Sequence, residues 1–227
     1  MANVNKFKQW FQDDCMDRVA AFNVESESEF PISRFDSVNG WCTPSTMKLI
    51  NFAVTECLEG GEEYLEIGSY CGRSIIAALL NNNKRAQVIE PFDLFLEDGV
   101  FIQSLWDRNV NQFGVRDRIT LHKIKCVEFN ESLPPVGVLY YDGNHDSGHT
   151  YHSLRAFESY LADNAIILVD DYHAIGGPQR RRWPGWLPAY KPVKEDVDRW
   201  LMETENAKLI GIAPWINHQA VIIYKRG

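Results

Sequence analysis

Apolar residues in this chain recur with two different periods, and the switches between them predict a layered α/β fold. Phe7, Phe11, Cys15, Val19 and Phe22 fall about four apart, which predicts an amphipathic helix over residues 5–22. Residues 23–40 are polar, contain Pro31 and Gly40, and read as a connecting loop. Thr43 and Pro44 then open a helix, threonine as N-cap and proline at its first position, running to about Leu58. Further along, short apolar runs at 64–67, 86–91, 119–124, 136–141 and 165–169 predict strands. Helical patterns starting at Ser74 and spanning 99–114, 152–162 and 191–204 separate or follow them. The last two runs, 208–213 and 219–225, are joined by too short a link for a crossover, so they pair antiparallel. The expected architecture is a doubly wound, mostly parallel seven-stranded sheet finished by an antiparallel C-terminal hairpin. Residues 1–40 form an N-terminal helix and linker, and 41–227 the main domain. The first helix packs on its own domain, caps a site, or contacts a second copy in a homo-oligomer.

Chemistry enters at the first strand. Residues 64–67 run into a turn, Gly68-Ser69-Tyr70-Cys71-Gly72, that leads into the helix at Ser74. A strand, a glycine turn and a helix make the opening unit of a nucleotide-binding α/β fold. The third glycine of the dinucleotide fingerprint is missing, and Glu66 places a carboxylate where a pyrophosphate would be repelled. An acid there suits a ligand carrying an ammonium and a sulfonium, as S-adenosylmethionine does. Glu90 ends the second strand, where a carboxylate can accept both hydroxyls of a ribose; Asp93 is the weaker alternative.

Composition narrows the setting. A formal net charge of −8 argues against nucleic acid as the main partner. Cys15, Cys42, Cys57, Cys71 and Cys126 are scattered and contain no C-x-x-C pair, so neither a disulfide framework nor structural zinc is expected, and a reducing cytoplasm is. Asp13 and Asp14 break any export signal, and no run of apolar residues is long enough for a membrane span. A soluble protein is expected.

Two further strand ends carry clustered acids: Asp142-Gly143-Asn144-His145 and Asp170-Asp171-Tyr172-His173. Asp142, Asp170 and Asp171 gathered at neighbouring carboxyl ends would repel one another unless a cation lay among them, and oxygen ligands suit Mg²⁺ or a similar divalent ion. A histidine at His145 fits the task of taking a proton from a hydroxyl near neutral pH. His149, His152 and His173 are rivals, the first two also suiting the first turn of a helix.

The segment Leu65-Glu66-Ile67-Gly68-Ser69-Tyr70-Cys71-Gly72-Arg73-Ser74 closely resembles the first motif of catechol O-methyltransferase. The remainder is similar to sugar-modifying methyltransferases of the macrocin O-methyltransferase type, and the likeness runs from about Trp41 to Lys225. The resemblance implies a class I methyltransferase fold and a metal-dependent enzyme acting on a small hydroxylated acceptor, sugar-bearing or phenolic. It implies that Glu66, Gly68 and Gly72 shape an S-adenosylmethionine pocket, with Ser69, Tyr70 and Ser74 on its methionine side. The loop from Lys125 to Glu128 would border the adenine. Asp142, Asp170 and Asp171 fall on metal positions of the family and His145 on its base. The catechol enzyme has an amide at the third metal position. The family's tyrosine and glutamate after the base are replaced here by Asp146-Ser147-Gly148-His149, so acceptor contacts there do not carry over. A stretch with Gly176, Gly177, Arg180, Arg181, Arg182, Trp183 and Trp186 is either a lid that reads an anionic or aromatic acceptor or a solvated loop. Three other readings stay open: a metal-independent methyltransferase, an NAD-linked oxidoreductase, and a non-catalytic relative.

Overall fold

The computed structural model describes residues 1–15, 32–40, 42–92, 99–172, 187–213 and 218–227. Trp41, Asp93, His173 and the glycine-arginine-tryptophan stretch lie outside them. Seven strands form one sheet: β1 Glu63–Ile67, β2 Ala86–Ile89, β3 Ile119–His122, β4 Val136–Tyr141, β5 Leu161–Val169, β6 Ala207–Ala213 and β7 Gln219–Lys225. Their order is β3-β2-β1-β4-β5-β7-β6. Strands β1 to β5 pair in parallel, and β7 runs antiparallel between β5 and β6.

Because the parallel strands are buried on both faces, alternate residues feed two separate cores. Tyr64, Val88, Val138, Tyr140, Ile166 and Leu168 face α1 (Val4–Trp10), α2 (Pro44–Phe52), α3 (Arg73–Leu79) and α4 (Gly99–Gln112). Leu65, Ile67, Leu139, Tyr141, Ile167 and Val169 face α5 (His149–Phe157) and α6 (Leu187–Glu203). A register shift between Val136 and Val138 puts Val136 with the second set.

Several boundaries differ from the pattern. The first helix starts at Val4 and passes into a wider turn over Phe11–Cys15; Val19 and Phe22 are not among the described residues. Phe7 and Phe11 are buried in the first core, and a Cβ on Gly211 would lie 2.6 Å from the Phe11 ring. Thr43 caps α2 as its sequence predicts, accepting from the Thr46 amide at 3.2 Å. Helix α5 opens at His149, and a single 3-10 turn, Glu158–Tyr160, then ends the helical run. The extended chain resumes at Leu161, where Leu161 and Ala162 are buried in a strand rather than closing a helix. Helix α6 begins at Leu187, upstream of Pro192. Among the described residues, no helix is long and apolar enough to cross a membrane.

Candidate active site

Strand order reverses between β1 and β4, and the carboxyl ends on either side of such a switch point form the ligand crevice of open α/β sheets. Glu66, Glu90, Asp142, Asp170 and Asp171 all lie on this edge. The loops after β1 and β4 touch directly: Gly68 has φ +86°, and a Cβ on it would lie 2.0 Å from the Asp142 carbonyl oxygen. The space gained by omitting a side chain at Gly68 is therefore filled by protein backbone, not left for a ligand. Gly72, φ +87°, starts α3 in the left-handed region with its open side against Trp106.

The carboxylates here hold the fold as well as line it. Glu66 is fully buried on the α3 side of β1, accepting from Tyr64 Oη at 2.7 Å and Ser74 Oγ at 2.9 Å. Burial outweighs these donors and pushes its carboxyl up to about 7. Glu90 Oε2 accepts from the backbone amides of Ser69 and Tyr70 at 2.8 and 2.9 Å, and its Oε1 from the Phe92 amide at 3.0 Å. The acid at the end of β2 thus fixes the glycine turn after β1. Tyr70, Phe92 and Asp171 all hold positive φ without being glycine, at 48°, 58° and 57°. Strained backbone at the ends of β1, β2 and β5 is what a functional edge shows.

At the ends of β4 and β5, Asp142, His145 and Asp171 each offer a ligand atom, all within 4.8 Å of one another. His145 Nε2 is 3.4 Å from Asp171 Oδ2 and 3.7 Å from Asp142 Oδ1. Asp170, expected among the metal ligands, stands apart from this group. Its Oδ2 accepts from Tyr140 Oη at 2.8 Å, and its Oδ1 from Gln219 Nε2 at 2.6 Å and the Asp171 amide at 2.8 Å. The separation follows from strand parity: Asp170 continues the side of Ile166 and Leu168, where Tyr140 lies, while Asp171 turns out of the strand. Burial, then the charges of Asp170, Glu66 and Glu90, pushes Asp142 well up, although 35% of its side chain still meets solvent. Asp171 is pushed up by burial, then by Asp170 and Asp142, with His145 opposing. Negative charge crowds this edge.

Four supporting residues escape the motif reading. Trp106 and Asn109 on α4 hold the glycine turn, Trp106 Nε1 donating to Ser69 Oγ at 3.0 Å and Asn109 Nδ2 to the Cys71 carbonyl at 2.9 Å. Their signal was present: Ile102, Leu105, Trp106, Asn109 and Val110 form one helical stripe, and a buried asparagine in it marks a specific bond. Replacing Asn109 with alanine leaves that carbonyl unsatisfied and is expected to cost about 1–3 kcal/mol in urea unfolding; a loss near zero would show that the bond does not secure the turn. Gln219 on β7 braces Asp170. Cys42 lies within reach of Asp170, Asp142 and Glu66, whose charges add to burial in pushing its thiol well up.

Residues 65–172 match the family model of a methyltransferase domain. The chain shares the class I methyltransferase fold. Solved structures share its fold over nearly the whole chain. One is an O-methyltransferase from Bacillus cereus in complex with SAH, at 13% identity and TM-score 0.59, covering 97% of each chain. Another is the O-methyltransferase TomG from Streptomyces achromogenes, involved in tomaymycin synthesis and solved with SAM. It is 12% identical with TM-score 0.58, over 99% of this chain and 89% of TomG. No curated protein matches the sequence. The methyltransferase fold and its antiparallel hairpin agree with the expected architecture, and the match to a methyltransferase-domain model speaks against the NAD-linked reading.

Proposed function

We propose that this methyltransferase takes its methyl group from S-adenosylmethionine and delivers it to a hydroxyl of a small sugar-bearing or phenolic acceptor, with a divalent cation at Asp142 and Asp171. The observation that carries the reading is the grouping of Asp142, His145 and Asp171 beside the Gly68 turn. The donor chemistry fits both groups. Carboxylates pushed up by burial and then by one another favour a cation among them, and Glu66 and Glu90 line the cofactor side with acids as well. S-adenosylmethionine supplies a methyl on a positively charged sulfur, and a divalent ion, when bound, acidifies a hydroxyl and holds it.

The chain's own residues do the rest. Asp142 and Asp171 hold the cation side, and Asp170, tied to Tyr140 and Gln219, keeps the end of β5 in place. His145 directs Nε2 toward both carboxylates and is placed to take the proton of a hydroxyl lying among them. Glu90, braced by the loop amides, would meet the ribose hydroxyls, and Glu66 keeps negative charge behind Ser74 near the methionine end. Most of the rate then comes from positioning. The helix α1, packed into the first core, belongs with this unit.

A second reading of His145 has its own support. Its Nε2 is as close to both aspartates as a third ligand would be, which makes it a ligand rather than a base. Calorimetry with S-adenosylhomocysteine and with Mn²⁺ tests the whole proposal, followed by a mass-gain screen of hydroxylated acceptors. His145→Ala that keeps Mn²⁺ affinity while losing turnover marks the base; loss of Mn²⁺ affinity marks the ligand. Failure of the wild type to bind S-adenosylhomocysteine would overturn the function. Turnover that persists with chelator present would leave the metal-independent reading, and cofactor binding without turnover on any acceptor the non-catalytic one.

A further inference from the structure

Helix α5 begins without a cap of its own. Its N-cap residue is Gly148, in the left-handed region, which has no side chain to accept from the exposed amides of the first turn. The acceptor comes from another helix. Asp196 of α6, itself buried, takes the Gly148 amide on Oδ1 at 3.1 Å and the Tyr151 amide on Oδ2 at 3.3 Å. One carboxylate thus satisfies the two amides that a capping box serves with two side chains, and it adds charge that the helix N-terminus favours.

That turn is the far end of the loop carrying Asp142 and His145. From Asp142 the chain passes Asn144, whose carbonyl accepts from Tyr141 Oη at 2.8 Å and whose side chain accepts from the Asp146 amide at 2.8 Å. The His149 amide then bonds the Asp146 carbonyl at 3.0 Å, and Asp196 closes the loop at Gly148. Two residues along α6, Asp198 accepts from Tyr172 Oη at 2.6 Å, next to Asp171. Lys194 pairs with Asp198 and lies 5.2 Å over the Tyr172 ring. A single helix therefore grips the chain on both sides of the Asp142, His145 and Asp171 group.

We infer that Asp196 is a positioning residue: by capping α5 from α6, it sets where the loop holds His145 and Asp142 against Asp171. The inference rests on the cation reading of the site above. It predicts a split between the two ligands, because the cofactor side is held by Glu66, Glu90 and α4 rather than by α6.

The test measures Mn²⁺ affinity by the loss of the free-ion electron spin resonance signal, and S-adenosylhomocysteine affinity by calorimetry, well below the melting temperature. Asp196→Ala is expected to weaken Mn²⁺ by roughly 10- to 100-fold, as loss of an outer partner of a metal ligand does, with cofactor affinity within about twofold. Asp196→Asn, which keeps one acceptor oxygen, is expected to recover part of the loss. Tyr172→Phe removes the Asp198 bond with little change of volume, and it carries the same split in smaller measure if Asp196→Ala fails to fold. Mn²⁺ affinity unchanged in both Asp196→Asn and Tyr172→Phe, or both ligands weakened equally, would overturn the inference alone. Wild-type protein that binds S-adenosylhomocysteine but no Mn²⁺ overturns the cation reading, and this inference with it.

Discussion

Gly68→Ala is expected to cost the protein about 3–5 kcal/mol, the sum of a left-handed backbone penalty and a backbone clash. The added methyl would stand 2.0 Å from the Asp142 carbonyl oxygen, an overlap no side-chain rotation relieves. Two other glycines with positive φ supply internal controls. Gly72→Ala carries the same backbone penalty, but its methyl would meet only Trp106 and Val110 side chains at 3.2 and 3.4 Å, so some of the strain is absorbed. Gly61→Ala has φ +85° and nothing within 4 Å, leaving the backbone term of about 1–2 kcal/mol alone. Urea unfolding should rank the losses Gly68 over Gly72 over Gly61. Any Gly68→Ala protein that folds should also bind Mn²⁺ poorly, because relieving the clash moves Asp142. A Gly68→Ala variant as stable as Gly61→Ala would mean that the two loops are not locked together as described.

The glycine turn shows what sequence could and could not disclose. Its place after the first strand, and the acids at the other strand ends, were legible because period-two burial followed by a helix start leaves few topologies. The family's fold followed from the same residues. What the motif concealed was direction. Gly68 reads as part of a cofactor pocket, and the motif does not tell that the space a side chain there would fill is taken by the loop after β4, distant in sequence. Asp170 and Asp171 read as a pair of ligands, yet neighbouring residues at a strand end face opposite ways. Counting parity from Ile166 would have sent Asp170 to the side of Tyr140. The cap on α5 was illegible for a different reason: Asp196 lies well downstream of Gly148, and no local pattern links an acid on one helix to the bare first turn of another. Trp106 and Asn109 fall between these cases, visible as an oddity in an apolar stripe but not assignable to the turn they hold.

Glu66 carries the second large effect, and its sign is opposite to that of a salt-bridged acid. The folded protein raises this carboxyl from an ordinary 4.5 to about 7 through burial. Between those values the native state therefore binds the proton more tightly than the unfolded chain. The stabilising contribution is complete below pH 4.5 and is lost as pH rises through 7, a difference of roughly 3 kcal/mol. Asp142, Asp170 and Asp171, all pushed up, slope the same way, so the wild-type curve alone does not isolate Glu66. Glu66→Gln does, since the amide keeps an acceptor for Tyr64 or Ser74 and carries no charge. At pH 8 the variant should be more stable than the wild type by up to about 3 kcal/mol, and near pH 5 the gap should close. Binding should move the other way. A buried carboxylate stabilises a cationic sulfonium only when ionised, so wild-type affinity for S-adenosylmethionine should rise from pH 6 to 8, with proton release, while that of Glu66→Gln stays flat. Stability and cofactor capture would then be opposed at one side chain, as expected where a binding site is built into a core. Parallel pH–stability curves for the two proteins would show instead that Glu66 titrates as it does in the unfolded chain, and the rise of S-adenosylmethionine affinity from pH 6 to 8 would then be lost.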